Sequence, residues 1–126
     1  MAILFKYNKQ KDALYCVLSG GLDKNEFRQE IKGVVESTEH PPNIRSIWDV
    51  TELDFSQITA DFQRELILIR KSFPERHPAR IAVVVPDQLG FGMARMYEML
   101  SMDVGDNLKV FYDFAEAEEW LLEAHE

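Results

Sequence analysis

Cysteine is almost absent: Cys16 is the only one in 126 residues. No intrachain disulfide can staple the chain, and a reducing, cytoplasmic compartment is the expectation. Basic residues are scarce beside acidic ones, 14 Lys and Arg against 22 Asp and Glu, for a net charge of -8. That balance argues against nucleic acid, whose phosphates call for a basic patch. Long apolar runs are missing too. None approaches the ~20 residues needed to cross a bilayer, so no transmembrane segment is expected. The opening "MAILFKYNKQ" has too short an apolar part and no cleavage-type tail, and is not read as a signal peptide. Internal repeats and low-complexity segments are lacking as well.

What is present is ordinary globular composition, 46% hydrophobic and 29% charged. A chain of this length is expected to form one domain, 1–126, burying roughly two-thirds of the surface of its unfolded chain. Residues 2–8 and 13–19 have β-type patterning around the turn "NKQKDA" and read as a hairpin. Gly20-Gly21 stops the second run. Asp23 and Glu26 have capping-box spacing ahead of a helix with Phe27, Ile31, Val34 and Val35 on one face. Pro41-Pro42 ends that region.

A third strand is expected over 44–50. A helix over 57–73 carries Ile58, Phe62, Leu66, Ile69 and Phe73 at spacings of three or four. The run "RIAVVV" at 80–85 is apolar on both faces and suits a central parallel strand. A helix over about 88–102 follows, then a strand at 108–112. Asp113 and Glu116 begin a closing helix with Phe114, Ala117, Trp120 and Leu121 as its buried face. The order β-β-α-β-α-β-α-β-α implies a mainly parallel sheet of about five strands, an antiparallel edge strand and about four helices.

This order, with "IWDVTEL", "RIAVVVPD" and the closing "VFYDFAEAEEWL", resembles the SpoIIAA-like, STAS-like family of small bacterial domains. The likeness covers nearly the whole chain. Its most family-like piece is Val110-Phe111 with Glu116-Ala117 and Trp120-Leu121, a structural signature. In regulatory members of the wider superfamily a partner kinase phosphorylates a serine at the start of the helix after the third strand. The nearest match here is Asp54-Phe55-Ser56-Gln57, with the acid two residues ahead of Ser56 and no glycine after it. The resemblance thus implies a non-enzymatic regulatory or protein-interaction domain with Ser56 as a possible phosphoacceptor. A likeness to the lipid-binding core of Sec14-type proteins implies the alternative, a carrier or sensor of a small apolar ligand such as an acyl chain.

Two regions carry the candidate residues. In open α/β sheets ligands gather at the carboxyl ends of strands. Asp49, Thr51, Glu52, Asp54, Ser56, Thr59 and Asp87 are expected there as a polar site. Local capping by Ser56 or Thr59, with Asp54 favourable to the helix dipole, is the other account. Asp49 shares its side of an apolar strand with Ile47 and must face solvent or find a partner. Asp49, Asp87 and Asp113 all follow strands, yet no phosphate-binding Lys or Gly-rich loop accompanies them. His40, His77 and His125 show no zinc spacing, and Cys16 has no evident base. No metal, cofactor or catalytic residue is therefore assigned.

The second region is "DQLGFGMARMYEMLSMDVGD". Leu89, Met93, Met96, Tyr97 and Leu100 fall on one helical face, read as core. Phe91, Met99 and Met102 fall on another, a surface for a protein partner, a second copy or a ligand. Phe91, between Gly90 and Gly92, has inward folding as its alternative. A ligand under the 87–103 segment would be lined by Phe91, Met93, Met96 and Met99.

Overall fold

The computed structural model describes residues 2–123; His125 lies outside them. Five strands form one sheet: β1 (Ala2–Asn8), β2 (Ala13–Gly20), β3 (Ser46–Leu53), β4 (Arg80–Val84) and β5 (Asn107–Phe111). Four helices complete the chain: α1 (Lys24–Glu36), α2 (Ala60–Lys71), α3 (Gln88–Leu100) and α4 (Phe114–Glu123). The strand order is β1-β2-β3-β4-β5. β1 and β2 pair antiparallel, and every later pair is parallel.

The strand order never reverses. Crossovers of one hand therefore carry successive helices to the same side of the sheet. Phe27 and Ile31 of α1 and Leu66 and Ile69 of α2 bury against Ile3, Leu18, Val50 and Val110, with Phe91 and Tyr97 of α3 beside them. α4 covers the opposite face. There Ala117 and Leu121 close over Ala13, Ile47, Ala82 and Val84. β4 is thus clothed on both sides, as its continuous apolar run requires.

Side-chain caps set the helix starts. Asp23 accepts a hydrogen bond from the Asn25 amide at 2.8 Å, and Thr59 accepts from the Phe62 amide at 3.0 Å. Asp87 accepts from Gly90 and Asp113 from Ala115, both at 2.9 Å. Each satisfies an amide that the first helical turn leaves without a partner.

Several sequence expectations need correction. The helix expected over 57–73 is α2, Ala60–Lys71, preceded by a single 3-10 turn at Phe55–Gln57. Of the two caps expected, Thr59 is the one used, and Ser56 lies inside the 3-10 turn. The third strand starts later and runs further than 44–50, since Leu53 still pairs with Gly20. In α4, Phe114 is 39% exposed rather than buried and leans towards Tyr15 across 6.3 Å.

The largest correction is α3, which is turned about its axis. Leu89 is 63% and Met96 38% exposed, so neither belongs to the core. Phe91 folds inward and stacks on Tyr112 at 5.1 Å. The cause is Gly90, which is buried. A Cβ there would lie 2.9 Å from Pro86 Cδ, 3.2 Å from Val85 Cβ and 3.3 Å from Phe55 Cζ. The bare backbone at Gly90 docks where a side chain would otherwise point, and this sets the rotation of the helix.

Candidate functional site

Asp49 lies midway along β3 rather than at its carboxyl end, half-buried on the same face as Ile47. Its Oδ1 accepts from the Thr51 amide at 3.0 Å and from the Thr51 hydroxyl at 2.6 Å. The partner that an acid inside an apolar strand requires is therefore two residues away. In register, Asp49 lies in one row with Leu4, Val17, Val84 and Phe111.

Asp54 caps the 3-10 turn by accepting from the Ser56 amide at 3.0 Å. Hydrogen bonding from Ser56 holds the Asp54 carboxyl below its ordinary value. Ser56 itself is exposed, as are Glu52 and Asp87. Asp49, Asp54, Asp87 and Asp113 each spend an oxygen on a nearby backbone amide of their own chain. Among the described residues no three His, Cys, Asp or Glu side chains converge as a metal site.

The sheet face under α1, α2 and α3 lines a partly open cavity of about 120 Å³. Leu18, Trp48, Val50, Ile81, Val83 and Leu108 form its floor, and Phe27 and Ile31 of α1 one wall. α2 contributes Gln63, Leu66 and Arg70, at the spacing of one helical face. Met93, Ala94 and Tyr97 of α3 close it, with Leu53, Phe55 and Ile58 at the β3–α2 connection. Of the α3 residues expected to line a ligand, only Met93 does. Phe91 packs against the core, while Met96, Met99 and Met102 are 38%, 65% and 76% exposed.

Polar groups also reach the cavity, and nearly all are satisfied. The Arg70 guanidinium donates to the Tyr97 hydroxyl at 2.9 Å and pairs with Asp106. Asp106 also accepts from the Ala79 amide at 2.7 Å, and its Oδ2 lies 2.8 Å from His77 Nδ1. His77 Nε2 lies 3.0 Å from the Arg70 carbonyl oxygen. Burial opposes the charge on Arg70, but Tyr97 and Asp106 together outweigh it and raise its proton affinity above the ordinary guanidinium value.

Arg76 donates to the Ile44 carbonyl at 3.0 Å, the Pro42 carbonyl at 3.2 Å and the Ser46 hydroxyl at 3.3 Å. Burial lowers its proton affinity. Burial likewise pushes the Cys16 thiol up, so this cysteine is a neutral core residue.

The exception is Gln63, only 2% exposed. Its Nε2 donates to the Met93 carbonyl at 3.0 Å. A carbonyl can only accept, so the amide orientation is fixed, and Oε1 faces no partner. It is the one buried side-chain nitrogen or oxygen among the described residues without a hydrogen bond.

Sequence reasoning did not single out Gln63, Arg70, Arg76 or Asp106. The heptad spacing of Gln63 and Arg70 on an apolar stripe was the available signal. Asp106, 36 residues beyond Arg70, carried none.

No family model and no curated protein matches the chain. Among solved structures it is similar to an uncharacterised protein of the DUF3478 family with a SpoIIAA-like fold from Shewanella loihica PV-4. The TM-score is 0.64 at 22% identity, covering 95% of this chain and 92% of that one. Likeness at that identity speaks for fold alone: the sheet and helices described above form a SpoIIAA-like α/β fold. Among the described residues no helix is long and apolar enough to cross a membrane.

Proposed function

We propose that this chain is a non-enzymatic binding domain of STAS-like type whose ligand is a small apolar molecule held between the sheet and helices α2 and α3. The observation that carries the reading is the cavity of about 120 Å³ with a predominantly apolar lining. Concave, largely apolar spaces with a few placed polar groups are the usual form of a small-molecule site. An engineered apolar cavity of roughly 150 Å³ takes benzene. The ligand is therefore about one six-membered ring or a short chain in size, smaller than a long acyl tail. Asp49, Asp87 and Asp113, each turned to a backbone amide, favour binding over catalysis.

Native mass spectrometry of protein purified from its host tests this. A co-purified small adduct, or a rise in unfolding temperature with benzene, is the expected result. A clean unliganded mass together with no response to benzene would overturn it.

A second reading, a docking surface for a protein partner or a second copy, is favoured by the outer side of α3 and the turn after it. Leu89, Met96, Met99 and Met102 stand exposed there. Methionines make adaptable contacts, and a run of exposed apolar side chains is typical of covered surfaces. Light scattering on the native protein and on Met99→Asp checks it. An assembly that dissociates in the variant supports self-association, and a monomer in both excludes it.

A further inference from the structure

The cavity's one open polar valence narrows the ligand further, on the premise of the small-molecule reading above. Gln63 lies one turn from Leu66 and two turns from Arg70, so the α2 side of the cavity runs about 10 Å between two polar ends. At the Arg70 end the guanidinium, carboxylate and imidazole satisfy one another. At the other end the Gln63 amide is held in one orientation by the Met93 carbonyl. Its Oε1 is left buried and without a donor. A buried acceptor in that state is unfavourable, and only a donor brought into the cavity can relieve it.

We propose that the cavity selects a small apolar molecule carrying one hydroxyl, of phenol or short-chain alcohol class, whose O–H donates to Gln63 Oε1. The apolar body lies against Leu66, Val50 and Val83, and the hydroxyl points towards the Gln63 amide. An apolar cavity without an acceptor rejects such a molecule, because the hydroxyl would be dried with nothing to receive its proton. Here the acceptor is already buried and already held in place, so the hydroxyl finds a prepared partner.

The test compares benzene and phenol on the full chain, by titration calorimetry or ligand-detected NMR, with wild type and Gln63→Met. In wild type, phenol is expected to bind with an affinity within tenfold of benzene's. In Gln63→Met the phenol-to-benzene affinity ratio is expected to fall about tenfold or more, the factor one lost hydrogen bond of this kind produces. Phenol binding by wild type, with or without benzene, supports the assignment even if the variant fails to fold. A phenol-to-benzene ratio unchanged in a folded variant overturns it. Wild type that takes benzene but not phenol overturns the hydroxyl assignment, as a water held on Gln63 would produce, and leaves the apolar-ligand reading standing. Wild type that takes neither overturns both.

Discussion

Replacing Asp106 with Asn should come close to unfolding the protein. The Arg70 and Asp106 side chains are only 8% and 4% exposed, so solvent screens their pairing little. Asp106→Asn keeps the shape but removes the charge that faces the Arg70 guanidinium and leaves one acceptor where there were two. Arginine cannot escape by losing its proton. Breaking a buried pair by removing one partner costs about 3–5 kcal/mol. Against a typical total of about 5–15 kcal/mol, that is a large share of the stability. At roughly 3–5 °C per kcal/mol for a chain of this size, the midpoint should fall by about 10–20 °C. Urea unfolding followed by circular dichroism reads the same loss as a lower midpoint at unchanged slope. The double change Arg70→Met with Asp106→Leu removes both charges and should be less destabilising than the sum of the two single changes by about 2 kcal/mol or more. A loss below about 1 kcal/mol for Asp106→Asn, or simple additivity in the pair, would refute the orphaned-charge reasoning.

Gly90→Ala should destabilise by about 1–3 kcal/mol, because its methyl meets the rigid Pro86 ring at 2.9 Å; a calorimetric melting curve equal to wild type would contradict that contact. Cys16, 1% exposed and with its thiol pushed up by burial, should react with a thiol reagent only as fast as the protein unfolds. Rapid labelling in the absence of urea would show otherwise. The Glu118 carboxyl is held below its ordinary value first by the hydrogen bond from Tyr15 at 2.5 Å and then by Lys11. A carboxyl lowered in the folded state adds stability above its unfolded value and loses it as pH falls through the folded one. The gap between wild type and Tyr15→Phe in urea midpoint should accordingly shrink from about pH 7 to about pH 3; a constant gap would count against the link. For Ser56, exposed in the turn before α2, intact-mass analysis of protein from host cells reads its candidate role as phosphoacceptor directly. A one-phosphoryl shift mapped to Ser56 supports that role, and its absence from cells speaks against it.

The alternation of strand and helix was legible because the period of apolar residues changes at each junction, and Gly20-Gly21, Pro41-Pro42 and Pro86 mark the breaks. The face shared by Ile47 and Asp49 followed from their two-residue spacing. The partner of Asp49 did not, because Thr51 suits a β-strand and a hydrogen-bonded turn equally well. The rotation of α3 was hidden for another reason. Apolar periodicity marks Leu89 and Met96 as a core face, whereas Gly90 wins by presenting no side chain at all. The cavity had no signal of its own. It arises from how three helices stand off one sheet, and its polar fittings, Gln63 with Met93 and Arg70 with Asp106, are joined across 30 and 36 residues of chain.

The same cavity gives the protein a mechanical signature. A space of about 120 Å³ per molecule is about 70 mL/mol, comparable to the whole volume decrease with which domains typically unfold, about 20–100 mL/mol. Left dry, it would make this small sheet protein unusually easy to unfold by hydrostatic pressure. Filled by a bound molecule, it would contribute almost nothing. Compression thus reads how full the interior is without the occupant having to be identified. A midpoint pressure that rises as a candidate is added reports that the candidate has entered the fold rather than settled on its surface.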